Sequence, residues 1–275
     1  MTLFDALGFH WDRTAIPASV FTHSLERVLF RFNKMLPEFV WDASTLEENP
    51  FSYPQVQTLM DGVAVVGQKI SDQEQILNLA ESAKRLLAMV KDERFALAKP
   101  AFIELNGIVA RNESLEWGLF RGEGDEKNYT PDEGLGTLGV SRIVAKYLYS
   151  PMKTLPNAPE LNRAFQEGVT ALKECEPFER ALAFYVFGAY RQFFFDGNKR
   201  TSRLMMNGVL MSHGIDAISV PAAKAAEFNG AMLCFYESKD ATQIMTFLAN
   251  CHPDARQIYE QHETDHINNS CGRAP

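Results

Sequence analysis

The sequence of 275 residues holds no long apolar run, few cysteines and no excess of positive charge. No stretch reaches the roughly 18 uninterrupted apolar residues of a membrane span, so no membrane partner is expected. The first residues, MTLFDALGFHWDR, place an acid at Asp5 and no basic cluster before an apolar run, unlike a secretory leader. The four cysteines, Cys175, Cys234, Cys251 and Cys271, form no C-x-x-C pair. In a chain of this size that pattern suits free thiols in a reducing compartment, so a cytoplasmic location is expected. Asp and Glu total 35 against 27 Lys and Arg, a formal charge of -8. That balance argues against general binding to nucleic acid or to an anionic membrane, which need a positive field. Alternating strand patterns are scarce too, and hydrophobic residues at 46% suit a globular core.

What is present is mostly helical periodicity. Ile76, Leu79, Ala80, Ala83, Leu86, Leu87 and Val90 fall on one face of a helix over 72–91, with Ser71 and Glu74 spaced as a capping box. Further helices are expected near 16–36, where Pro37 ends the pattern, and over 53–66, 100–115, 140–149, 159–174, 177–190, 198–212, 222–238 and 240–250. The glycine-rich stretch 118–139 reads as loop with a short hairpin. The class is all-α with a minor hairpin.

The chemistry concentrates in 191–203, RQFFFDGNKRTSR. Gly197 permits a sharp turn and Asn198 suits a helix start. Backbone N–H groups of Gly197, Asn198, Lys199 and Arg200 would then leave a helix N-terminus, which suits phosphate. Lys199, Arg200 and Arg203 add positive charge, and Asp196 supplies one carboxylate, a usual arrangement for Mg2+ with phosphates. The same residues equally suit a helical hairpin turn with surface charges.

The segment resembles the signature of the Fic/Doc (Fido) family, His-x-Phe-x-Asp/Glu-Gly-Asn-Gly/Lys-Arg-x-x-Arg. Here it runs Gln192-Phe193-Phe194-Phe195-Asp196-Gly197-Asn198-Lys199-Arg200-Thr201-Ser202-Arg203, matching at every fixed position but the first. The resemblance implies a Fic core over 99–251, an N-terminal helical lobe over 1–98 and a polar tail over 252–275. It implies Mg2+ at Asp196, phosphates at Gly197, Asn198, Lys199 and Arg200, and the γ-phosphate at Arg203. It implies ATP as ligand and a target protein docking on a flap at 118–139. The implied reaction is AMP transfer from ATP to a Ser, Thr or Tyr hydroxyl of a protein. A Doc-like phosphate transfer and an inactive nucleotide-binding module are the alternatives.

Two departures stand out. The family's general base is histidine, and here Gln192 holds that place; an amide accepts no proton near neutral pH. The family's inhibitory helix carries Ser/Thr-x-x-x-Glu-Gly/Asn, for which Gln57 to Gly62, with Asp61 as the acid, is the nearest match seen within 53–66. The expectation is an acid at Asp61 facing Arg203.

Other signals are weaker. His262-Glu263-Thr264-Asp265-His266 fits a zinc-protease pattern but lies in a polar tail. His213 suits a helix C-terminus. His10, His23 and His252 have no acidic or cysteine partner at useful sequence spacing. Phe193–Phe195 read as core.

Overall fold

The expected hydrophobic face of 72–91 builds the longest helix of the chain's first hundred residues. In the computed structural model, which describes residues 2–18, 20–126 and 151–262, the helices that position the site are α1 (Leu3–Leu7), α2 (Leu25–Lys34), α3 (Leu36–Thr45), α4 (Tyr53–Met60), α5 (Ile70–Lys91), α6 (Lys99–Val109), α7 (Pro159–Ala171), α8 (Pro177–Arg191), α9 (Asn198–Ser212), α10 (Ala225–Ser238) and α11 (Thr242–Ala249). The only β pairing among the described residues is an isolated bridge between His10 and Asp240. The class is all-α. Most of the expected hairpin and the whole of the expected helix at 140–149 lie outside the described residues.

Several boundaries differ from the sequence reading for local reasons. The helix expected over 16–36 starts only at Leu25, as α2, because the Ser24 hydroxyl accepts from the Arg27 amide and caps it. Pro37 does more than end that helix. It sits in the first turn of α3, where its missing N–H has no partner to lose. α4 stops at Met60 rather than 66, because Gly62 takes φ +85 just beyond it. The Ser71–Glu74 capping box does not form. α5 begins two residues earlier, with Lys69 as its N-cap, which puts Ser71 inside the first turn. The stretch from 252 is not all surface: residues 255–262 are helical, and His252 and Ile258 are buried.

One apolar core runs from Leu3 and Phe9 through Val28, Ala83 and Phe102 to Leu248, so residues on both sides of position 98 share it. A smaller cluster of Val40, Phe51, Val56, Leu59, Ile76 and Leu79 fills the space between α3, α4 and α5. α8 is enclosed nearly all round, with twelve of its residues from Phe178 to Tyr190 buried and Glu179 the one charged group among them, paired with Arg13. Phe193 and Phe194 lie beside Phe102, with ring centroids at 5.8 and 4.7 Å. Each such buried ring contributes about 1.5–3 kcal/mol, so the phenylalanine run anchors the turn between α8 and α9 to the core.

α8 and α9 pack closely at Gly188. A Cβ there would lie 2.1 Å from Ser202 Oγ and 3.0 Å from Ser202 Cβ. The hydroxyl can rotate away, but the Cβ cannot move without parting the helices. Gly188→Ala is therefore expected to destabilise the protein by about 1–3 kcal/mol. Urea denaturation checks this, and an unchanged midpoint would mean the helices slide freely.

Candidate nucleotide-phosphate site

The turn between α8 and α9 is built by side chains that bond the backbone. α8 ends at Arg191, and Gln192 follows with φ 50 and ψ 58, in the left-handed region. Gln192 is 2% exposed. Its Nε2 donates to the Ala189 carbonyl at 2.6 Å, and its Oε1 accepts from Asn198 Nδ2 at 3.1 Å. Asn198 also spans the turn to Phe194, accepting from its amide at 2.9 Å and donating to its carbonyl at 2.8 Å. Gly197 takes φ +74, and a Cβ there would lie 3.1 Å from both Asn106 Nδ2 and Val109 Cγ1. Glycine is required on both counts.

Two residues that the sequence reading did not single out hold this turn from outside. Asn106 Nδ2 donates to the Asp196 carbonyl at 3.0 Å while its Oδ1 accepts from the Gly118 amide at 2.9 Å. Arg121 is fully buried. Its Nε donates to the Gln192 carbonyl at 2.7 Å, its NH2 to the Met152 carbonyl at 2.9 Å, and its backbone amide to the Phe193 carbonyl at 2.9 Å. An arginine placed three residues after Gly118 in a glycine-rich stretch was the available signal.

The N-terminus of α9 opens into a cavity of about 170 Å³ lined by Glu47, Gln192, Asp196, Gly197, Asn198, Lys199 and Arg200. Gly197 provides no side-chain cap, and the first turn holds no acid. The helix end is thus left positive toward the cavity. Arg203 lies one turn further on, 1% exposed. None of its three guanidinium nitrogens has a hydrogen-bond partner among the described residues. It rests against the rings of Tyr185 and Phe228, 6.0 and 5.8 Å from their centroids. A buried charge with unmet donors marks a place for an anion.

Arg200 is differently employed. Its NH1 meets both oxygens of Glu113, at 2.8 and 2.7 Å, and its NH2 meets Asp196 Oδ1 at 3.2 Å. Burial works against its charge, but Glu113, Asp196 and Glu47 overcome that and hold it protonated more firmly than an ordinary arginine. Lys199 Nζ lies 3.2 Å from Glu47 Oε1. Burial alone would raise the Glu47 carboxyl. Lys199, Arg200 and Arg203 outweigh it and bring the group below the usual carboxylate range.

Residues 101–210 match the model of the Fic/DOC family. They are a Fic domain. The chain is similar to a Fic-1 fragment from C. elegans, at 18% identity and TM-score 0.61, over 97% of this chain and 70% of that one. It is also similar to a Fic-domain-containing signalling protein from Bacteroides thetaiotaomicron, at 18% identity and TM-score 0.62, over 95% of each chain. A Fic family protein from Desulfovibrio desulfuricans aligns at 14% identity and TM-score 0.54, over 91% of this chain and 78% of that one. These likenesses concern the fold. No protein with a curated description matches the sequence. The match of residues 101–210 to this family points to nucleotide binding and, at most, to nucleotide transfer.

Within the Fic domain the structure brings Gln192, Asp196, Gly197, Asn198, Lys199 and Arg200 to one cavity, while Arg203 is buried further along α9 and does not line it. It does not bring Asp61 there. Asp61 is the exposed C-cap of α4, and the acid facing the motif cations is Glu47, just past the end of α3. The expected contact between Asp61 and Arg203 does not form; Glu47 pairs with Lys199, and the Arg203 guanidinium keeps no hydrogen-bond partner among the described residues. The stretch 118–126 of the expected flap is irregular, and 127–139 lies outside the described residues. His262 bonds the Thr14 carbonyl at 2.9 Å, while His266 is outside the described residues. No described helix is long and apolar enough to cross a membrane.

Proposed function

We propose that this Fic-domain protein binds ATP through its phosphates and transfers AMP to a protein hydroxyl, and that Gln192 and Glu47 hold the transfer far below the level of a fully equipped site. The observation that carries the reading is the conjunction of an uncapped helix N-terminus with the unpartnered, buried Arg203 guanidinium. Polyphosphate satisfies both.

The residues fit Mg2+. Asp196 is about half exposed, spends Oδ1 on the Gly197 amide and Arg200, and has no bonded partner for its other oxygen among the described residues. One carboxylate beside a phosphate cradle is how Mg2+ is commonly held, and the ion would neutralise phosphate oxygens there. Backbone amides at the start of α9 orient the phosphates, and Arg203 anchors their terminal group. In the transfer, the target hydroxyl oxygen bonds to the α-phosphorus, the bond from that phosphorus to the pyrophosphate oxygen breaks, and the hydroxyl proton must leave. Gln192 has no lone-pair basicity to take that proton, and both ends of its amide are already bonded. Positioning and charge remain, which still supply much of phosphoryl-transfer catalysis.

Glu47 is the second brake. Its carboxylate occupies the cavity beside Lys199 and repels phosphate. The space of about 170 Å³ left beside it is smaller than the roughly 300–1,000 Å³ of ordinary small-molecule sites. It suits the role that the family gives to its inhibitory glutamate. Glu47→Gly is expected to tighten ATP binding by about 5–150-fold by calorimetry, while the exposed Asp61→Gly leaves it unchanged. Equal affinity of wild type and Glu47→Gly would remove the brake from the reading.

ATP labelled at the α or γ position, with Mg2+ and cell lysate, tests the function. Slow transfer of α-label is expected, enhanced in Glu47→Gly. Transfer of γ-label alone would make the protein a Doc-like kinase. Neither label, with ATP bound, would make it an interaction module.

A further inference from the structure

Three segments far apart in sequence meet beyond the C-terminal end of α9. His23 donates its amide to the Gly214 carbonyl at 2.7 Å, and a Cβ on Gly214 would lie 2.5 Å from the His23 carbonyl oxygen. The two backbones are therefore in closest contact. At this junction His23 Nε2 lies 3.7 Å from Asp216 Oδ2 and 3.6 Å from Asp254 Oδ2. One potential ligand atom from each of the three residues lies within 4.8 Å of the others. The turn carrying Asp254 is fixed by its own amide, which donates to His252 Nδ1 at 3.1 Å.

An ion pair leaves this cluster incomplete. Asp216 is 2% exposed, and while its Oδ2 accepts from Arg31 NH1, its Oδ1 has no hydrogen-bond partner. His23 Nε2 has none either. Buried polar atoms without partners are uncommon, and two at one junction point to a missing occupant. The separations are informative. Ligand atoms about 2.0–2.2 Å from a tetrahedral zinc ion lie about 3.3–3.6 Å apart, the spacing of His23 Nε2 from Asp254 Oδ2. One imidazole with two carboxylates suits zinc better than Mg2+ or Ca2+, which prefer oxygen alone. Two carboxylates also balance a divalent charge. Arg31 holds Oδ2 of Asp216, so the oxygen left for the ion is Oδ1, which has no hydrogen-bond partner; a guanidinium on one oxygen is the kind of outer contact that orients a ligating carboxylate. The His23 and Asp254 side chains are 17% and 22% exposed, so water can reach the fourth position.

We propose that His23, Asp216 and Asp254 bind a zinc-class divalent ion that staples the approach to α2, the exit from α9 and the turn before the last helical stretch. The staple lies outside the phosphate cavity and is independent of nucleotide chemistry.

The test uses full-length protein stripped with chelator. Zinc titration by calorimetry should show one equivalent bound, and cobalt should give the visible absorption of a tetrahedral site. His23→Ala and Asp254→Ala should each weaken binding by more than about 100-fold, with circular dichroism showing that both remain helical. His262→Ala, in the tail motif, should bind as wild type does. Absence of stoichiometric uptake overturns the proposal. So does uptake that survives either of the first two substitutions, or that disappears in His262→Ala.

Discussion

Gln192→His should raise AMP transfer by about 10²–10⁴-fold, the usual contribution of a positioned general base. The site is prepared for the exchange. Residue 192 sits in the left-handed backbone region, where histidine is among the better-tolerated side chains. Asn198 Nδ2, which now donates to the glutamine oxygen, can donate to a ring nitrogen and orient it. The substitution gives up the bond from Gln192 Nε2 to the Ala189 carbonyl, a loss of about 0.5–1.5 kcal/mol that should not unfold the protein. Because Glu47 still opposes phosphate, the full gain should appear in the Glu47→Gly background. The measurement is initial-rate transfer of α-label at saturating ATP. A double variant that binds ATP tightly yet transfers no faster than Glu47→Gly alone would show that proton removal is not what limits the reaction.

Arg200→Ala should destabilise the protein by about 3–5 kcal/mol, a large share of the roughly 5–15 kcal/mol of a typical domain. The Arg200 side chain is 3% exposed, and it is the paired cation for a Glu113 side chain only 15% exposed. Without it, Glu113 keeps one bond, from Gln75 Nε2 at 3.1 Å, and a buried charge with no countercharge. Removing both charges with apolar residues, as in Arg200→Met with Glu113→Leu, should recover most of the loss, because two desolvation costs disappear together. Chemical denaturation of the three proteins separates these outcomes. A single variant within about 1 kcal/mol of wild type would mean that the pair behaves as a solvated one. The pair also changes how the motif is understood. Arg200 has the identity of a phosphate ligand, but its NH1 and NH2 are committed to carboxylates, and only Nε lacks a partner. It holds α9 against the end of α6 more than it faces the cavity.

The parts of the site that lie within 191–203 were legible in the sequence, because a turn, its glycine and the helix that follows are local events. Phe193 to Phe195 were legible as core for the same reason. Glu47 was not, since its cationic partner at Lys199 is remote in the chain and the stretch around it reads as an ordinary polar helix end. Asp61 drew attention through a short pattern, which carries no information about which face of the N-terminal lobe meets α9. Pro37 looked like a stop, although proline in a first turn is equally a start. His23 showed no partner by spacing, yet Asp216 and Asp254 reach it through the folded chain. Arg121 and Asn106 bond backbone carbonyls, and a carbonyl has no residue identity to read.

Arg203 has a consequence for the energetics of the whole chain. A guanidinium sealed among Tyr185 and Phe228 with no bonded partner lowers the stability of the empty fold. Any anion that reaches it binds the native state and not the unfolded one, so anion occupancy and folding are linked equilibria. The melting temperature of this protein is then a property of its buffer as much as of its sequence. Phosphate, sulfate and nucleotide concentrations act as variables of its folding.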